Sequence, residues 1–452
     1  MIRKINLRTI LFAIALAFTA TWFTSCSKVS GETTETTVVS TAEIPQLMPR
    51  TAGLGSPDER AQITQLYDEQ VALLRQDPSN PQARLMLAEL FINEARITGE
   101  HPYYYPLALA QLEAIPTQKL NNTELQFRAA YLKASVMLSQ HEFKAGLAAG
   151  EEAAAIYPRN AGIHGVLIDA QVELGNYEEA VRLSDKMVSM RPDLRSYSRI
   201  SYLREIHGEW QGAIEAMQMA VSAGVPGTEQ TAWCRLTLGE LYEAYGDLDR
   251  AEGEYRRLLQ ERTDYPFAYA GLASLEEKKG NYEGALSLLN QAIELIPEVG
   301  FYEQKASVLA KMGKETESNA LVPEILGMMQ EDSESGHIMD LELAGVWLHL
   351  KGDADKALTY AEQAFERRPE NIDVRAVMAE IMYEKGEYAA AWEHASKAMR
   401  TNSQDPHKLL LAGMAKEKAA GAGEGKEMIA LAFELNPYLE GSVADEAKAT
   451  FF

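Results

Sequence analysis

Residues 175–192 read GNYEEAVRLSDKMVSMRP and residues 280–297 read GNYEGALSLLNQAIELIP. The same four residue types fill the same slots: Gly175 and Gly280, Tyr177 and Tyr282, Ala180 and Ala285, Pro192 and Pro297. A reactive constellation is not written twice in one chain, so Tyr177, Glu178 and Glu179 are read as packing and solvated positions. Working outward, glycines that end a helical stretch fall at 175, 208, 246, 280, 352 and 386, and prolines that end the next stretch fall at 158, 192, 297, 369 and 437. The recurring interval is 34 residues with occasional insertions. A fixed period of that length is the mark of a stacked array of small units.

Each unit holds two amphipathic runs of about 14 residues, a length at which an isolated helix is marginal and needs a neighbour. In residues 266–299, Tyr269, Leu272, Ala273 and Glu276 keep helical spacing, Gly280 breaks it, and Tyr282, Ala285, Leu289 and Ala292 resume it before Pro297. Small residues at Ala273 and Ala285 allow close helix approach, and Gly280 accepts the left-handed backbone of the turn. This pattern resembles the tetratricopeptide repeat (TPR). Copies align without gaps at 161–194, 232–265, 266–299, 338–371, 372–405 and 406–439, with a looser copy from about 194. The copy at 300–337 is degenerate, keeping little beyond Gly313. The first, from Pro81, carries an insertion with Tyr103, Tyr104 and Tyr105, read as a local plug. The resemblance implies an all-α, right-handed superhelical solenoid of about ten TPR-like helix pairs over 81–439, capped by a helix at 57–80 and by residues 440–452.

The N-terminus carries a different message. Residues 1–25 combine Arg3, Lys4 and Arg8 with an apolar run too short for a comfortable membrane span, which marks an export signal. Phe23-Thr24-Ser25-Cys26 resembles the lipobox of bacterial lipoproteins, implying a lipoprotein signal peptide and lipid attachment at Cys26. Residues 26–56, rich in Ser, Thr, Gly and Pro, read as a flexible tether. The expected address is the bacterial cell envelope, anchored in the outer membrane and facing the periplasm. Cys234 is the other cysteine, so a lipidated Cys26 leaves no intramolecular disulfide, and Cys234 is read as a small buried hydrophobe. The chain has a formal charge of −23, which repels phosphate backbones and argues against nucleic-acid binding.

No chemistry converges elsewhere. The eight histidines form no HExxH and no pair at metal-ligand spacing, a P-loop and a GxSxG are missing, and GAGEG at 421–425 follows a helix rather than a strand. The expectation is therefore a non-catalytic protein-interaction scaffold without cofactor or metal, held at a membrane by its lipid. In the family it resembles, first helices line a concave groove that takes partner segments. The groove residues expected here are Arg128, Tyr131, Arg195, Arg199, Tyr202, Trp233 and Phe267. Arg195, Arg199 and Tyr202 share one helical face, and arginines and aromatics dominate binding hot spots. The family's carboxylate clamp, a lysine at the fifth position, is replaced by Gly165, Leu236, Ala270, Glu342, Ala376 and Leu410. The competing expectations are a glycan- or solute-capturing outer-membrane lipoprotein and a regulatory subunit of an envelope enzyme.

Overall fold

The computed structural model describes residues 44–55, 57–117 and 120–452. The leader, Cys26 and the tether up to residue 43 lie outside them. Among the described residues twenty-two α-helices follow one another, and they sort into ten packed pairs with Pro57–Gln76 before and Ser442–Phe451 after. The all-helical solenoid expected from the repeat is what the chain forms.

Local rules place the helix ends. Asn80, Asn122, Asn371 and Asp405 accept first-turn backbone N–H groups at the starts of their helices. At the turn before Tyr177–Met190, Gly175 N donates to Val172 O at 2.9 Å and Asn176 N to Gln171 O at 2.8 Å. The same two bonds recur at Gly280 and Asn281, both 2.9 Å long. This is the paired bonding of a Schellman turn, which needs a left-handed residue, so the recurring glycine has a mechanical cause. Small residues let the helices approach within and between pairs: Ala273 and Ala285 have no exposed surface, and the fully buried Tyr255 ring rests on Gly239 of its own pair and on Gly271 of the next.

Three places depart from the sequence expectation. The tyrosine insertion is no appendage: His101–Glu113 is the second helix of the first pair, with Tyr104 and Tyr105 buried in the core. The degenerate copy keeps both helices, Val299–Lys311 and a long Glu315–Glu334. The copy aligned at 338–371 is less regular than its sequence: Asp340–Gly345 widens into a π-helical turn at Val346–Leu350, where Lys351 N reaches Val346 O at 3.2 Å.

Residues 44–55, expected to be tether, instead form a strap against the solenoid. Its carbonyls at Pro45, Gln46 and Met48 accept from Tyr67 Oη, Tyr103 Oη and Arg60 Nη2, at 2.8, 2.7 and 2.8 Å, while Met48 N donates to Tyr104 Oη. Arg50 enters the interior to meet Glu94, 2.6 Å away with both side chains buried. A buried carboxylate without a cation would be costly, and this one fixes the strap. Leu54 then packs with Ala292, Ile296 and Phe301, far along the chain.

That last contact is one of a series. Gln140 O accepts from Ile338 N at 3.0 Å, Arg368 pairs with Glu173, Ile372 N donates to Tyr177 Oη at 2.8 Å, and Asn436 Nδ2 donates to Ala244 O at 2.9 Å. The separations cluster near 195 residues, just under six repeats. One superhelical turn therefore takes just under six repeats, and the second turn lies directly on the first. The concave side becomes an enclosed channel rather than an open groove.

Candidate functional site

Trp233, Phe267 and Phe301 stand one repeat apart, at the same register of three successive first helices. Phe267 meets Phe301 edge to face at 5.2 Å and tilts on Tyr265 at 5.8 Å, making an aromatic ladder along the channel. Two cavities open beside it. One, of about 190 Å³, is lined by Phe267, Phe301, Gln304, the π-turn residue His349 and Lys311. The other, of about 160 Å³, lies where the two superhelical turns meet, between Arg96, Trp233, Phe267, Glu303, His337 and Glu342.

Of the seven groove residues expected from sequence, only Trp233 and Phe267 line these cavities. The rest serve the wall. Arg199 is 7% exposed and forks onto Asp169 with bonds of 2.8 and 2.6 Å, while its remaining nitrogen donates to Arg195 O. Burial pushes the Asp169 carboxyl above its ordinary value even beside that guanidinium. Removing one member of such a pair strands a buried charge and costs about 3–5 kcal/mol. Arg199→Glu would thus test the core and not a binding face. Tyr131 is buried and stacked on Phe127, and Arg128 lies against Glu89 at 2.5 Å. Tyr202 packs beside Leu167, Leu203 and Tyr177, and Arg195 is half-buried on the same helix. Cys234 has no exposed surface, as a small core residue should. Cys26 lies outside the described residues.

The cavity residues that sequence reasoning passed over are mostly acids and histidines. Burial, with repulsion from neighbouring acids, pushes Glu298 and Asp332 up to about 7 and Glu303 up to about 8, and burial pushes Glu342 up to about 7 against the pull of Arg368. Burial also pushes Glu173 up to about 7, although Arg368 works against it. Burial holds His101 and His141 down to about 4, and His337 well below its usual range. The rings of His141 and His337 meet edge to face at 4.4 Å. Among the described residues no group of three or more His, Cys, Asp or Glu is arranged to hold a metal ion. A signal for some of these positions existed: adding one repeat to Tyr269 gives Glu303 and to Asp264 gives Glu298.

Residues 236–299 and 348–412 match models of the tetratricopeptide repeat. The chain carries tetratricopeptide repeats. Human protein O-mannosyl-transferase TMTC1 is 22% identical over 165 residues, which are 36% of this chain and 19% of that protein. This chain therefore matches less than a fifth of that relative's length. Among solved structures, a thermophilic TPR protein of Thermus thermophilus is 22% identical, covering 43% of this chain and 98% of its own, with a TM-score of 0.37. The Cut9–Hcn1 hetero-tetramer of the APC/C is 12% identical, covering 87% of this chain and 94% of its own, with a TM-score of 0.36. Among the described residues no helix is long and apolar enough to cross a membrane.

Proposed function

We propose that this TPR-containing chain is a non-catalytic scaffold, tethered through a lipid on Cys26 to the outer membrane of a bacterial cell and facing the periplasm, which holds a partner segment inside its superhelical channel. TPR arrays support a protein-interaction role, and the observation that carries the inner-face reading is the ladder of Trp233, Phe267 and Phe301 beside a cavity lined with unbonded polar atoms. A lone packing face has no use for such atoms, since each buried donor or acceptor without a partner costs free energy. The lipid and the tether belong to this proposal on the strength of the leader and Cys26. Membrane confinement would raise the local concentration of any partner at the same surface.

A photo-crosslinking side chain placed at Gln304, inside the channel, is expected to capture a defined partner from intact cells. The same group at Val225, a loop position 67% exposed, is expected to capture little. Equal capture at both positions, or capture at Val225 alone, would move the binding face to the outside of the solenoid.

A further inference from the structure

The charge of the cavity between the superhelical turns is unbalanced. Asp169, Glu173 and Glu229 on its wall each face an arginine: Arg199, Arg368 and Arg262. Glu298, Glu303, Asp332 and Glu342 line the same space, and among the described residues no lysine or arginine stands within ion-pair reach of these four. Within 4 Å their basic neighbours are imidazoles, and Arg368 acts on Glu342 from farther off. His141 Nδ1 lies 3.5 Å from Glu342 but is engaged with Ile338 O at 2.9 Å. His337 Nδ1 is 3.9 Å from Asp332, beyond hydrogen-bond reach. Arg96 is the only lysine or arginine among the cavity's lining residues; its Nε and Nη2 are buried without a hydrogen-bond partner, its charge acts on His101, Tyr131 and Glu229, and four carboxyls stand against that one guanidinium.

A second observation points inward independently of the acids. His337, with a side chain 10% exposed, has neither ring nitrogen hydrogen-bonded. Glu303 Oε1 and Asp332 Oδ1 are likewise buried without a partner. A neutral imidazole offers one lone pair and one N–H, and an ionised carboxylate offers several lone pairs, so once its acids are ionised this corner accepts more hydrogen bonds than it gives. Trp233, Phe267 and Phe143 supply aromatic walls, and Arg368 already lies over the Phe143 ring at 4.7 Å. With the acids ionised, above about pH 8, acceptors, negative charge and aromatic faces together recognise an organic cation, and binding at lower pH would release the acids' protons. The volume of about 160 Å³ is below the ~300 Å³ at which drug-sized sites begin and suits one long side chain.

We propose that this cavity binds a single alkylammonium or guanidinium group, such as the lysine or arginine side chain of a segment held in the channel. It rests on the scaffold reading for the source of that group, while the same chemistry would take a free polyamine. The test is isothermal titration of the full chain, at about pH 8.5 so that the acids are ionised, with the capped peptide Ala-Ala-Lys-Ala-Ala, its norleucine counterpart, and spermidine. The lysine peptide or spermidine is expected to bind and the norleucine peptide not. Peptide binding tighter than spermidine assigns the source to a partner segment, and the reverse assigns it to a free amine. In a Glu298→Gln, Glu303→Gln variant with unchanged circular dichroism, the affinity is expected to fall at least tenfold. Glu151→Gln, Glu152→Gln, at exposed positions, should leave it unchanged. Norleucine binding as well as lysine, unaltered binding in the first variant, or no cation binding at millimolar concentration would overturn the proposal. A partner captured from Gln304 in that last case would leave the scaffold standing, whereas cation binding without any captured partner would sink the scaffold alone.

Discussion

Gly175 and Gly280 hold the same slot of the repeat with nearly the same backbone, φ 81° and 76°. Their surroundings differ. A Cβ on Gly175 would run into Glu370 O of the next superhelical turn, while a Cβ on Gly280 would meet nothing within 4 Å. Gly280→Ala should cost only the left-handed backbone, about 1–2 kcal/mol. Gly175→Ala adds a collision with a backbone atom that cannot turn aside, so its urea midpoint should fall clearly further. Equal falls would mean that the turns do not touch there. The repeated phrase was legible because helix termination asks for the same residue in every copy. The second duty of Gly175 was not, since its partner lies on the next superhelical turn in a contact that has no period in sequence. Arg199 shows the same limit on a shorter scale. Helical spacing correctly joined it to Arg195 and Tyr202, but the burial of that face against Asp169, 30 residues earlier, is a property of the stack.

At the scale of elements, the strap at 44–55 was hidden because it has neither helical nor strand spacing. Its pairing of Arg50 with Glu94, its hydroxyl and Arg60 contacts and the packing of Leu54 explain why it is ordered against Pro57–Gln76, Pro81–Thr98 and His101–Glu113. The helices that carry the cavity acids have a measurable signature in pH. Glu298, Asp332, Glu342 and Glu173 at about 7, and Glu303 at about 8, hold protons in the folded chain that the unfolded chain releases near its ordinary carboxylate values of 3.8 to 4.5. Their contribution to stability is present in acid and is lost as pH rises through 7 to 8. The buried histidines act the other way, but only below their ordinary value of 6.5, where the unfolded chain takes up protons that His101 and His141 refuse. Between pH 6.5 and 8.5 the acids act alone among these groups. The melting temperature is expected to fall across that window, each proton and pH unit being worth about 1.4 kcal/mol, and Glu303→Gln should flatten the slope. A level or rising melting temperature in the unaltered chain would contradict the protonated cavity.

At the scale of the whole molecule, the array of helix pairs was legible in the sequence. The pitch was not. Whether a repeat array opens as a trough or closes on itself depends on small rotations between neighbours, summed over successive units, and no single residue carries that sum. Closure is what turns the aromatic ladder into the wall of a cavity, and it rests on contacts such as Lys311 with Glu440, which lie 129 residues apart. Zero-length carbodiimide crosslinking of the monomer, read by mass spectrometry, tests it directly. A Lys311–Glu440 bond should appear alongside the local Lys385–Asp355 bond, which serves as the internal standard. Local bonds alone, with Lys311 and Glu440 unlinked, would mean that the superhelix is open and that the enclosed cavity does not exist.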